Sequence, residues 1–133
     1  MENNKITFND AVMTCLHKYA DFSGRACRSE YWYFVVFNMV VQAGLNALGR
    51  LVFGADSNLA PVLASIYALA VFIPTLAVTW RRLHDVGKSG AYWFFMLLPL
   101  VGWIIVLIQL CKDSDPGENQ FGVSPKYPNK YYR

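Results

Sequence analysis

Arg81-Arg82-Leu83-His84-Asp85-Val86-Gly87-Lys88-Ser89-Gly90 is a knot of ionisable side chains set between two long uncharged apolar runs. Upstream, Ser57 to Trp80 carries no Asp, Glu, Lys or Arg; downstream, neither does Ser89 to Cys111. A third such run, Tyr31 to Gly49, lies nearer the start. A hydrocarbon core of roughly 30 Å needs about 20 apolar residues at about 1.5 Å each. Each run is therefore of membrane length. A soluble core helix of that size would show a charged face, and these do not. The polar knot then belongs at a bilayer surface.

The chain has 133 residues, 55% hydrophobic and 16% charged, which allows one domain whose charges are excluded from its apolar runs. The expected fold is all-α and integral to the membrane: about three transmembrane helices plus an N-terminal amphipathic interfacial helix. The divisions are 1–30, an amphipathic helix and polar junction; 31–111, a membrane domain with spans at about 31–53, 59–80 and 91–111; and 112–133, a polar tail. Glu2, Lys5, Asp10, Lys18 and Asp21 precede the first apolar run, which does not suit a cleavable signal peptide. The three cysteines, at 15, 27 and 111, are odd in number and scattered, which argues against a disulfide framework.

Three crossings would put residues 1–30 and the loop 81–88 on one side, with Lys5, Lys18, Arg25, Arg28, Arg81, Arg82 and Lys88. The other side would hold Arg50, Lys112, Lys126, Lys130 and Arg133. The positive-inside rule places the first set in the cytoplasm and the C-terminus in the periplasm or outside.

Thr7 and Asp10 resemble a capping box, and Phe8, Val12, Cys15, Leu16 and Tyr19 follow a helical spacing. That helix either lies on the inner leaflet or packs on the span ends. Asn38, Gln42, Asn46 and Arg50 recur every fourth residue, one stripe along a helix. The amides form either a polar groove or interhelical hydrogen-bond glue. Ala60, Ala64 and Ala68 make a ridge of small residues; Pro74, Pro99 and Gly102 interrupt the second and third runs.

Gly87-Lys88-Ser89 is no P-loop, because the leading glycine of that motif would fall at Arg82. His17 and His84 lack metal-ligand spacing, and His84-Asp85 are adjacent residues that do not face each other on a helix. No catalytic residue, cofactor or metal is expected, and no nucleic-acid partner, since no basic groove is interleaved with aromatics. The basic groups make the stronger case. Arg25, Arg28, Glu30, Arg81, Arg82, His84 and Asp85 gather at one interface. Guanidinium groups suit phosphate oxygens, and carboxylates can orient them. They form either a headgroup, phosphate or partner site, or topology signals held in internal ion pairs.

Phe22-x-Gly24-Arg25-x-x-Arg28-x-Glu30-Tyr31-Trp32, Pro74-x-x-Ala77-Val78, Arg81-Arg82-Leu83-His84-Asp85-x-Gly87-x-Ser89-Gly90, Pro99-x-x-Gly102 and Gly117-x-Asn119-x-Phe121-Gly122-x-Ser124-Pro125 resemble, in order, the DUF805 family. Ala91 departs from the family's usual Trp, with Tyr92-Trp93 supplying aromatics just after it. The resemblance covers about residues 15–125. It implies a small multi-pass protein of the bacterial inner membrane, and it implies no reaction.

The expectation is thus a non-enzymatic accessory or binding protein. Its partners would be the bilayer and its anionic lipids, with a homo-oligomer or another membrane protein as further possibilities. The alternatives are a small oligomeric transporter or channel component, with Asn38, Gln42 and Asn46 lining the path, and a membrane enzyme on lipid-linked substrates, with His84 as general acid or base.

Overall fold

The computed structural model of the chain describes residues 6–125. The elements are α1 (Phe8–His17), α2 (Arg28–Phe53), α3 (Leu59–Asp85), a 3-10 helix (Gly90–Leu97), α4 (Val101–Cys111), and the two short strands β1 (Glu118–Asn119) and β2 (Gly122–Val123). Lys5 and the tail from Lys126 onward lie outside the described residues.

Two of these helices, α2 and α3, are long and apolar enough to cross a membrane. At 26 and 27 residues they run about 39–40 Å each. They pack antiparallel. Near the loop, a Cβ on Gly49 would fall 2.6 Å from that of Ala60, so the backbones meet where the small-residue ridge begins. Midway, the Tyr67 hydroxyl donates to Asn38 Oδ1 at 2.7 Å; at the other end, Arg81 pairs with Glu30.

Pro74 lies inside α3 without ending it. Proline has no N–H, so the carbonyl four residues back, Ala70, loses its helical donor. The Tyr19 hydroxyl donates to that carbonyl. Around this contact α1 lies across the long pair near the Arg81 end: Phe8 meets the rings of Tyr33 and Phe37, and Cys15 reaches Glu30. Thr7 caps α1 by accepting from the Asp10 N–H at 3.2 Å. Its buried face is Ala11, Val12 and Cys15, while Phe8 and Leu16 of the expected apolar stripe are exposed.

The third apolar run corrects the expectation of a third span-length helix. It folds into a hairpin: the 3-10 helix, a turn at 98–100, then α4. Pro99 cannot continue a helical ladder, and Leu100 has φ 63°, a left-handed conformation. Gly102 permits the close return, since a Cβ there would fall 1.6 Å from the Phe95 carbonyl oxygen. Irregular backbone in an apolar setting must satisfy its own polar groups. Here Phe95 O accepts from Leu98 N, Pro99 O from Val101 N, and Met96 O from the Trp103 indole at 2.8 Å.

Both ends of the hairpin return to the Arg81–Asp85 end of α3. Gly90 packs on the Trp80 ring, and Arg82 bonds the carbonyls at the end of α4. The polar segment that follows is thereby brought to the same end of the molecule as Arg25 and Arg28. The expected third crossing would instead carry residue 112 to the opposite end of the α2–α3 pair.

Candidate functional site

Helix ends leave orphan carbonyls, and the last turn of α3 shows where such groups go. Arg81 O accepts from Ala26 N, and Leu83 O from Val86 N and Lys88 N. His84 O accepts from Gly87 N and from the Asn119 amide; Asp85 O accepts from Asp115 N and Arg25. Gly87, at φ 76°, makes the reversal, and a Cβ there would strike the Asp115 carboxylate. Segments before α2 and after α4 thus both tie onto this one turn.

Asp85 is the hub. Its Oδ1 accepts from Arg25 Nε at 3.0 Å, and its Oδ2 from Arg82 Nη1 at 2.8 Å and from the Ser114 hydroxyl. Arg25 also donates through Nη1 to Gly117 O and Gly122 O, and through Nη2 to Asp85 O and Asp115 O. All three of its nitrogens are committed, shared between Asp85, Asp115 O and the two glycine carbonyls that flank the β1–β2 turn. Arg82 donates to Leu110 O and Lys112 O, so a cation sits on the negative end of the α4 dipole. Arg81 is enclosed beside Glu30 at 2.7 Å, with its Nε and Nη2 making no hydrogen bond. Cys15 lies against that pair. Burial pushes its thiol up to about 12, Glu30 adding to the rise and Arg81 opposing it. Burial likewise raises the Cys27 thiol.

His84 is clamped rather than poised. Its Nδ1 lies 3.0 Å from Gly24 O, and its ring stacks on Phe121 at 3.9 Å and 5°. Arg25, Glu30, Arg81, Arg82, His84 and Asp85 are therefore brought together as the sequence suggests, but their polar groups face one another and the backbone.

Arg28 is different. Its side chain is 43% exposed, and its two contacts are long: Cys111 O at 3.3 Å and Asp113 at 3.4 Å. It borders an open cavity of about 430 Å³ lined by Arg28, Ser29, Trp32, Tyr33 and Cys111. The cavity lies at the first turn of α2, which no side-chain hydrogen bond caps. The positive end of the helix dipole adds to the Arg28 charge there.

The amide stripe of α2 divides. Asn38 bonds across to Tyr67, whereas Asn46 donates to Gln42 O of its own helix. A groove of about 410 Å³ beside Asn38 and Gln42 is otherwise lined by Val35, Met39, Val71 and Thr75. Asn38 acts as interhelical glue. Among the described residues no cluster of three or more His, Cys, Asp or Glu could hold a metal.

Together these contacts form a clasp that ties residues 24–26 and 112–122 to the end of α3, and sequence reasoning missed Ser114, Asp115, Gly117 and Asn119 as members of it. The Gly117-x-Asn119-x-Phe121-Gly122 motif is the signal for Gly117 and Asn119, and Ser114 and Asp115 have none in the sequence. The motif now has a physical meaning: Asn119 Oδ1 accepts from Phe121 N to close the turn, and the two glycine carbonyls receive Arg25.

No solved structure matches the chain. Inner membrane protein YhaI of Escherichia coli (strain K12) is 39% identical over 115 residues, covering 86% of this chain and 94% of that protein. Inner membrane protein YhaH of the same strain is 37% identical over 117 residues, covering 88% and 97%. The family model described as "Protein of unknown function (DUF805)" matches residues 19–123, which takes in α2, α3, the hairpin and the clasp. The chain belongs to the DUF805 family.

Proposed function

We propose that this chain is a non-enzymatic accessory protein of the bacterial inner membrane that holds an anionic lipid headgroup in the Arg28 cavity. The observation that carries the reading is the contrast among the arginines. Arg25, Arg81 and Arg82 are enclosed, while Arg28 stands exposed beside a cavity faced by Trp32 and Tyr33. A guanidinium suits a phosphate, amphipathic rings suit headgroup depth, and a helix N-terminus favours an anion. The location follows that of the inner-membrane relatives and the two long apolar helices. In this reading the clasp end faces the cytoplasm, with α1 lying at that interface. Lys18, Arg25, Arg28, Arg81, Arg82, Lys88 and Lys112 all belong to that end, against Arg50 alone among the described residues at the other.

The test is lipid retained through purification from native membranes. Arg28→Ala should lose anionic lipid several-fold while keeping the wild-type thermal stability. Undiminished anionic lipid in a folded Arg28→Ala protein would overturn the headgroup reading.

A further inference from the structure

We propose that the protein is a one-sided wedge, and that it sorts to membrane whose clasp-side leaflet is convex. The inference rests on α2 and α3 crossing the membrane and is independent of the Arg28 cavity.

The two halves of the molecule differ in cross-section. Each leg of the hairpin reaches about 16 Å, from an eight-residue 3-10 helix at about 2.0 Å per residue and an eleven-residue α-helix at about 1.5 Å. Both legs start at the clasp, so the turn at Leu100 stops near the middle of a roughly 30 Å hydrocarbon core. Helix α1 occupies the same half, since its contacts on α2 fall at Glu30, Tyr33 and Phe37. The clasp half therefore holds α1, both hairpin legs and the ends of α2 and α3. Among the described residues the loop half holds α2 and α3 alone, drawn together at Gly49 and Ala60.

The added elements present apolar surface outward. On the hairpin, Leu97 is 71% exposed, Leu100 69% and Val101 65%; on α1, Met13 and Leu16 are exposed. Such surface belongs among acyl chains. Inserting it into one leaflet widens that leaflet relative to the other, and insertion of this kind depends on curvature. The hairpin tip can stay at mid-depth because the carbonyls of Phe95, Met96, Pro99 and Leu100 each accept a hydrogen bond there.

The test uses nanotubes drawn from giant vesicles holding the purified protein. Cys111 is exposed at the clasp end, whereas Cys15 and Cys27 are buried. Because Cys111 also lines the Arg28 cavity it is replaced by serine, and an impermeant maleimide dye added outside to Glu118→Cys marks the molecules whose clasp faces outward. Their density relative to a lipid dye should be higher in the tube than on the parent vesicle, and should rise as the tube narrows. Molecules marked from outside at the opposite end, through Asp56→Cys in a Cys111→Ser background, should be depleted. Equal density in both arms, or enrichment in both, would overturn the proposal. Leu100→Lys should draw the tip toward the interface and weaken sorting. A folded Leu100→Lys protein that sorts like wild type would also overturn it. If that variant does not fold, the two orientation arms still decide.

Discussion

Arg25 Nε donates to Asp85 Oδ1 at 3.0 Å, joining residues sixty positions apart inside a site that neither side chain leaves. Around that bond, three otherwise separate pieces of chain are fixed: the turn before α2, the end of α3, and the strap after α4. The carboxylate is shared by two guanidiniums and a hydroxyl. Removing one partner of a buried ion pair leaves an uncompensated charge, which costs about 3–5 kcal/mol. Asp85→Ala should lower stability by that order and free the strap, so that limited proteolysis cuts near Ser114–Ser124. Arg28→Ala breaks only an exposed pair worth less than about 1 kcal/mol. Thermal unfolding in detergent, run on both variants, checks the contrast; comparable losses in the two would contradict it.

Tyr19 and Pro74 are coupled through a carbonyl that neither owns. Pro74 removes the donor for Ala70 O, and the Tyr19 hydroxyl replaces it. Tyr19→Phe should cost about 1–3 kcal/mol, the penalty for a desolvated carbonyl left unsatisfied. In a Pro74→Ala background the helix supplies its own N–H, so the same Tyr19→Phe change should cost much less. A double-mutant cycle on unfolding measures the difference; additive effects would show that the two sites are uncoupled.

Much of this fold is legible in the sequence. The uncharged runs mark α2 and α3, and the motif pairs around Arg25 and Arg82 mark the clasp. The hairpin is not legible from hydropathy, because Ser89–Cys111 is as long and as uncharged as a span. Its signals are chemical: Pro99, Gly102 beside Phe95, and Arg82 placed to draw Leu110 and Lys112 back. Nor can residue type reveal whether an arginine faces outward. Arg25 and Arg28 lie three apart in one motif, yet one is saturated by backbone carbonyls and the other borders a cavity.

The Cys15 thiol makes stability depend on alkaline pH. Its ordinary value is 9.0, and burial beside Glu30 raises it to about 12 in the folded chain. The folded state thus keeps the proton while the unfolded state releases it. The contribution is complete below pH 9 and is lost as pH climbs from 9 toward 12. Cys15→Ala should show a shallower alkaline loss than wild type in unfolding measured across that range. Parallel profiles for the two proteins would contradict the assignment. The same burial predicts that a maleimide at neutral pH modifies Cys111 and leaves Cys15 and Cys27 untouched until the chain unfolds.

The hairpin makes a prediction about sidedness that a third crossing would reverse. Ser23 precedes α2 and Glu118 follows α4, and both are exposed. With α4 returning to Arg82, single cysteines at these two positions should react with an impermeant reagent from the same side of the membrane. A cysteine at Asp56, in the loop between α2 and α3, should react only from the opposite side. Each is placed in a background where Cys111 is serine, since that thiol is itself exposed at the clasp end. In inverted inner-membrane vesicles, Ser23→Cys and Glu118→Cys should label and Asp56→Cys should not; intact spheroplasts should give the reverse. Glu118→Cys labelling together with Asp56→Cys would mean that Ser89–Cys111 crosses after all. The bonds from Arg82 to Leu110 and Lys112 are incompatible with that outcome, because a straight α-helix through the run would carry Leu110 about 30 Å from the clasp.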